Sequence, residues 1–429
     1  MSPGGIYFNG RMLIQPQAAS VIDDTGMFGR GQVGANTLAL IGESAGGQPG
    51  QIMWFTDPSY AKSILISGPL LQAVQRAYAP SGEVSGAYLV GVIRVNHFSD
   101  SSNACTQAAL TLKDTGGNNL IKLTSVDWGV WNNQIKARVE NASLGLGFGK
   151  KFTVTYGNAY DQGDNIHKPS LVIGLTDPDI GANITGAQVA ISGGELETTI
   201  TLSSGSTQAQ NLDIDLADYT TIQQLADYIN AQPGYRCEAI TSTPNADLSI
   251  NLDNASANFG YTTPAIVTYL SSQYTPSTSV RSLTVNSITG FNVGDYITIS
   301  DPAILTKQEM RRITALPDST HITIDSALST TYNVGSTSCY NVRQATQLNS
   351  DTQAVIDWIN GGNTGYVTAA YAGTGAGPSY MTSGLSLADI ADTYLSGGSD
   401  GVTTQADWDN ALTLLQTEDT PLIACISPE

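Results

Sequence analysis

The residues best placed to do chemistry are Gly42-Glu43-Ser44-Ala45-Gly46, which have the G-x-S-x-G spacing of a hydrolase nucleophile elbow and follow the apolar run Leu38 to Ile41. In an elbow, a sharp strand-to-helix turn exposes the serine Oγ while a histidine takes its proton. Ser44 would then be the nucleophile. An elbow must feed a helix, however, and Gln48-Pro49-Gly50-Gln51-Ile52-Met53-Trp54-Phe55-Thr56-Asp57-Pro58 carries turn residues and a proline near each end. The available bases, His97, His167 and His321, fall in or beside β or loop segments, and no HGGG-like oxyanion stretch precedes Ser44. The motif therefore reads as a turn rich in small residues, and no enzymatic activity is expected.

Other candidate sites dissolve in the same way. Asp213, Asp215 and Asp218 could gather a hard cation such as Ca²⁺, but they lack the glycine and distal glutamate of an EF-hand loop. Strand alternation places Asp213 and Asp215 on one face, as at a solvated strand end. Gly145-Leu146-Gly147-Phe148-Gly149-Lys150-Lys151 shares only composition with a phosphate loop, since the G-x-x-x-x-G-K-[ST] spacing is missing, and reads as a turn between strands. The three histidines share no metal-ligand spacing. Cys105, Cys237, Cys339 and Cys425 lie far apart with no C-x-x-C pair, which fits neither zinc nor a disulfide framework. They read as isolated, mostly buried thiols of a reducing compartment. Neither a cofactor nor a metal is expected.

The elements that would position these residues are mixed. Residues 1–35 are punctuated by Gly and Pro, with short apolar groups at Ile6-Tyr7-Phe8 and Met12-Leu13-Ile14, and read as an extended arm. A strand at Thr37 to Ile41 follows, then a helix from Pro69 through Tyr78 with Leu70, Leu71, Val74 and Ala77 on one face, then a strand at Tyr88 to Val95. Ala109 to Lys113 and Leu120 to Thr124 flank a turn as a hairpin, and a strand is expected around Ile135 to Val139. Between 166 and 275, strands at Val189 to Ile191 and Thr199 to Leu202 precede a helix over Thr220 to Ala231 with Ile222, Leu225, Ala226 and Ile229 inward. Residues 276–343 read as a small β unit with short strands at Val280 to Val285, Tyr296 to Ile299, Arg311 to Ile313 and His321 to Ile324. In 344–429 a helix opens with the capping-box pattern Ser350 to Gln353 and carries Val355, Ile356 and Ile359. A last helix from Gln405 to Gln416 turns Trp408, Ala411, Leu412 and Leu415 to one side and leads to a strand at Leu422 to Ile426. The fold class is α/β and β: a mixed core built from 36–165 and 344–429, carrying β-rich insertions at 166–275 and 276–343.

The 429 residues allow about three domains. Only 13% of them are charged, against about a quarter in typical chains, which suits a β-rich protein that hides much of its surface against copies of itself. The net charge of −19 repels phosphate backbones, so nucleic acid and anionic membranes are not expected partners. No basic segment followed by an apolar run opens the chain, and no stretch reaches the roughly 18 apolar residues of a membrane span. A protein made soluble in a cytoplasm is expected.

Three segments together resemble the contractile bacteriophage tail sheath family. Leu38 to Pro49, a strand running into a small-residue loop, is similar to the opening of the sheath core. Ser125 to Val139, with Trp128-Gly129-Val130-Trp131-Asn132-Asn133, resembles the family's Gly, aromatic and Asn turn leading into a strand. The most specific is Leu395 to Gly401, whose Gly397-Gly398-Ser399-Asp400-Gly401 resembles the Gly-Gly-Thr/Ser-Asp-Gly turn before a conserved helix and strand. Their order in the chain carries more weight than any one of them.

The resemblance implies a structural subunit that stacks as hexameric rings or a helix around a tail tube protein, between baseplate and tail terminator. It would be assembled in the host bacterial cytoplasm and carried in the virion tail. It also implies an inter-subunit arm, with Ile6, Tyr7, Phe8, Leu13 and Ile14 adding strands to a neighbour's sheet, and a structural turn at Gly397, Gly398, Asp400 and Gly401. Sheath proteins continue beyond the terminal strand with more of the conserved domain, whereas this sequence stops at Glu429. Either the core is shortened or its remainder lies elsewhere. The rival reading is a non-contractile surface adhesin, which the β-rich stretch 170–342 alone would fit.

Overall fold

The computed structural model describes residues 6–8, 11–13, 37–81, 86–145, 148–177, 179, 183–259, 266–301, 304–335, 342–372, 387–418, 420 and 422–426. Five α-helices lie among them: α1 (Pro58–Leu65), α2 (Pro69–Tyr78), α3 (Ile222–Asn230), α4 (Asp351–Trp358) and α5 (Gln405–Leu415). The chain divides into two compact units, one of residues 1–107, 127–131 and 398–429, the other of 108–126 and 132–397.

The first unit is built on a four-stranded sheet in the order Ile423–Ile426, Thr37–Gly42, Leu89–Arg94, Ile52–Phe55. The first three strands are parallel and the last is antiparallel. Strands buried on both faces need apolar side chains on both, which is why the two central ones read as continuous apolar runs. Leu40, Val90 and Val92 pack with α1 and α2, while Ala39, Ile41 and Ile93 pack with Ala411 and Leu415 of α5. α2 has its expected bounds, with Pro69 in its first turn and Leu70, Leu71 and Val74 buried.

Two sequence expectations fail here. The stretch 48–58, read as rich in turn residues, holds a strand over Ile52–Phe55, and α1 opens at its last residue. Pro58 opens that helix, where a missing N–H costs nothing, and the Asp57 carboxylate accepts from Ser59 N at 2.8 Å as its cap. In α5 Ala411 and Leu415 are buried with Trp408 packed beside them, as expected, but Leu412 points out, 41% exposed. Ile6–Phe8 and Arg11–Leu13 form an antiparallel pair with each other, Ile6 opposite Leu13 and Phe8 opposite Arg11. Ile14, the last of the expected arm residues, lies outside the described residues.

The second unit is mostly β. Its largest sheet runs Tyr235–Ala239, Pro169–Leu175, Val342–Asn349, Tyr296–Asp301, Ile304–Asp318, His321–Ile324, Ser282–Thr284, so strands from both expected insertions share one ladder. α3 starts at Thr221, whose hydroxyl accepts from Gln224 N, and buries Ile222, Leu225, Ala226 and Ile229 in a core with Leu171, Ile173 and Leu175. The expected short strand at Arg311 to Ile313 is the middle of a 15-residue strand, Ile304–Asp318. Register shifts near Ala315 let its first half pair with Tyr296–Asp301 and its second half with His321–Ile324.

The expected capping box at α4 does not form. Ser350 makes no side-chain cap, its hydroxyl pairing with Ser170 Oγ at 2.9 Å. Gln353 Nε2 turns forward to Asp357 at 2.7 Å. The cap comes instead from Asp253, whose carboxylate accepts from Asp351 N at 2.6 Å and Thr352 N at 3.2 Å.

Candidate functional site

Arg94 ends the strand Leu89–Arg94 and its side chain is fully buried. A guanidinium presents five N–H donors in one plane, so at a loop junction it can bind several acceptors at once. Here Nη1 donates to Gly47 O at 2.6 Å and Trp128 O at 3.1 Å, Nε to Asn96 Oδ1 at 2.8 Å, and Nη2 to Asp400 Oδ1 at 3.1 Å. Asn96 extends the tie, its Oδ1 accepting from Ser44 N at 3.1 Å and its Nδ2 donating to Asp400 O at 3.2 Å. Asp127 closes the other side, with Oδ1 accepting from Gly47 N and Trp128 N, both at 2.8 Å, and Oδ2 accepting from Trp131 Nε1 at 3.2 Å. One cation therefore fastens the three loops 43–49, 127–130 and 398–401. Burial lowers the Arg94 pKa from its usual value, against the opposing influence of Cys105, Asp400 and Asp127. Burial likewise raises Asp127, against its hydrogen bonds and Arg94.

A second buried polar group holds α5. Thr404 and Asp407 form a capping box, with the Thr404 N–H and hydroxyl donating to Asp407 Oδ2 at 2.7 and 2.8 Å. Asp407 Oδ1 accepts from Phe98 N at 2.9 Å and Ser99 N at 2.8 Å, and Oδ2 lies 2.8 Å from His97 Nδ1. Burial alone would raise the Asp407 carboxyl, yet the bonds from Phe98, His97 and Thr404 outweigh it and hold it well below the usual range. His97 is raised in turn, first by Asp407 and then by Asp100, whose Oδ1 lies 3.1 Å from Nε2.

The turn 397–401 separates two kinds of glycine. Both Gly397 and Gly401 have positive φ, 85° and 70°. A Cβ on Gly397 would meet nothing within 4 Å, whereas one on Gly401 would lie 2.8 Å from Asn103 O, Cys105 N and His97 Cβ. Gly397→Ala should thus cost about 1 kcal/mol, the left-handed backbone alone, and Gly401→Ala about 3 kcal/mol once the clash is added. Chemical denaturation of the two variants checks the difference, and equal losses would contradict this packing.

The residues weighed for chemistry fall elsewhere. Ser44 is buried and its hydroxyl donates to Gly46 O at 2.8 Å, and loop rather than helix follows it. His97 is committed to carboxylates, His167 Nδ1 lies 2.8 Å from Asp351 Oδ1, and His321 Nδ1 lies 2.7 Å from Asp318 Oδ2. Lys150 and Lys151, expected in a turn, instead begin the strand Lys150–Tyr156, and Leu146 and Gly147 of that turn lie outside the described residues. Asp213 and Asp215 flank a buried Ile214. Cross-strand pairing sets Asp213 beside Glu195 and Glu197, an exposed carboxylate trio that strand spacing alone does not reveal. Cys105 and Cys237 are buried and Cys425 is exposed, while Cys339 lies outside the described residues. Burial pushes the Cys105 thiol up to about 11.

Of the site residues expected from the sequence, Asp400 and Gly401 fall in the Arg94 junction. Arg94, Asn96, Asp127 and Asp407 were not foreseen. The signals were an arginine closing the apolar run Leu89 to Ile93, and an aspartate three residues after Thr404.

No family model matches the sequence. A tail sheath protein of Bacillus phage SP01 is 30% identical over 245 residues, 56% of this chain and 40% of that protein. A protein of Enterococcus phage phiEF24C carrying the tail sheath name is 28% identical over 239 residues, 54% of this chain and 39% of that one. A tail sheath protein of Staphylococcus phage Twort is 26% identical over 137 residues, 32% of this chain and 21% of that protein. The chain is homologous to phage tail sheath proteins. The chain spans about two fifths of the length of the first two curated relatives. Solved structures of sheath tail proteins align with it as well. One from Desulfitobacterium hafniense has 12% identity and TM-score 0.30, over 98% of this chain and 45% of that one. One from Listeria innocua has 13% identity and TM-score 0.23, over 46% and 39%. In this chain, all three segments that carried the resemblance supply acceptors to the single Arg94 side chain.

Proposed function

We propose that this protein polymerises with copies of itself around a phage tail tube, and that the sheath so formed shortens by a change of subunit packing that drives the tube through the host envelope. The observation that carries this reading is the sequence match to tail sheath proteins of three phages. Contraction of this kind needs no nucleotide, only two packings separated by a few kcal/mol per subunit and summed along the tail. The partners would be further copies, the tube protein, the baseplate and the tail terminator, and assembly would take place in the host cytoplasm.

The arm residues Ile6, Tyr7, Phe8, Leu13 and Ile14 would join subunits by strand addition, which satisfies exposed backbone groups without new side-chain chemistry. Among the described residues, the strand Ile423–Ile426 is an edge of its sheet, with Leu422 and Ile423 exposed beside it, and offers a place for such a strand. The stretches 166–275 and 276–343 would project away from the tube.

Co-sedimentation with the tube protein tests the proposal. The full chain should pellet as tubes or stacked rings, and removal of residues 1–20 should leave it dispersed while the fold survives. A chain that stays dispersed at every tube concentration overturns the reading.

A further inference from the structure

α4 begins where the chain leaves the long β-rich stretch. Asn349 pairs with Pro169 in the sheet, and Ser350 N donates to Lys168 O at 2.9 Å, so the two ends of residues 169–349 meet at this helix. Two carboxylates occupy its first turn. Asp253 reaches in from a distant part of the sequence to accept Asp351 N and Thr352 N, and is itself fixed by its N–H on Asn349 O at 2.8 Å. Asp351 accepts from His167 Nδ1 and from Lys168 N, both at 2.8 Å.

A helix N-terminus favours one negative charge, but a second carboxylate beside the first is repelled by it. The surroundings leave Asp253 as the group that gives up its charge. Asp351 has His167 and the Lys168 backbone. The nearby cation, Lys168 Nζ, is 2.8 Å from Asp247 Oδ1 and 3.9 Å from Asp357 Oδ2. Tyr371, on the strand Val367–Tyr371, is kept neutral by burial, reinforced by the charges of Asp253 and Asp357. Burial and then the Asp351 charge push Asp253 up to about 7.

From these contacts we infer that Asp253, capping α4 beside the Asp351 carboxylate, forms a proton-controlled latch at the neck of the β-rich stretch, fastening α4 while Asp253 is protonated and loosening it when both carboxylates are ionised. The folded chain holds this proton more tightly than the unfolded chain, whose carboxyl titrates near 4. The latch therefore weakens as pH rises from about 4 to about 7 and changes little above that.

Hydrogen exchange of the full chain, followed at the amides of residues 351–358 between pH 5 and 8 and corrected for intrinsic rates, tests this. Protection should fall by up to about tenfold per pH unit below 7 and should be nearly flat in Asp253→Asn, which keeps an acceptor and loses the charge. Should that variant fail to fold, Asp351→Asn removes the repelling charge and should move the decline to lower pH. Protection in the native chain that does not change between pH 5 and 8, a decline unaltered in Asp253→Asn, or one unmoved in Asp351→Asn overturns the latch.

Discussion

Arg94→Met should destabilise the first unit by about 3 kcal/mol or more, although methionine nearly fills the space of the aliphatic stem. The loss comes from what is left behind. Gly47 O and Trp128 O lose the donor that Arg94 supplies, Asn96 Oδ1 is left with Ser44 N, and Asp400 keeps a charge with no cation. Breaking a buried ion pair from one side costs about 3 to 5 kcal/mol, and Asp400, about a third exposed, can recover some hydration, which places the expected loss toward the lower end. Arg94→Lys should restore less than half, because an ammonium cannot fork toward acceptors from three loops. Urea unfolding followed by tryptophan fluorescence reads this unit, since Trp54, Trp128, Trp131 and Trp408 belong to it and only Trp358 to the other. A loss under 1 kcal/mol in Arg94→Met would mean that the three loops are held by other contacts.

Asp407→Ala should cost about 3 kcal/mol, because the N–H groups of Phe98, Ser99 and Thr404 and the Thr404 hydroxyl lose an acceptor and α5 loses its cap. Asp407→Asn keeps one oxygen and should fall between the two. The same residue sets the pH response of this unit. Its folded carboxyl titrates below the unfolded one, so its stabilisation is present above about 4 and is lost as pH falls below that. His97 works in the opposite sense: its folded pKa is raised, so its contribution is complete below about 6.5 and is lost as pH climbs through the folded value. The native unit should be most stable between those limits, and in Asp407→Asn both flanks of the profile should flatten. An unchanged profile would remove Asp407 and His97 as its cause.

What the sequence could reveal depended on how far apart the interacting residues lie. α2 was legible because Pro69 and the spacing of Leu70, Leu71 and Val74 sit within ten residues, and the strands Ala109–Lys113 and Asn119–Ser125 were legible because their turn is local. α1 was obscured by Pro58, which ends a strand reading as readily as it opens a helix. The α4 cap could not be read at all, because its acceptor comes from Asp253, 98 residues before Asp351. The long strand Ile304–Asp318 was hidden by Pro317 and by bulges that only its two partners explain. At the junction, Asp400 and Gly401 belong to the turn singled out by its family-like sequence. Arg94 was missed because three of its four acceptors lie in separate loops, up to 306 positions away.

The most direct test of the central claim is gold labelling, with antibody raised against this chain, of the phage particles that carry it. Labelling along the whole outer length of the tail is the result expected of a sheath subunit. Labelling confined to fibres, to the baseplate or to the head would contradict it.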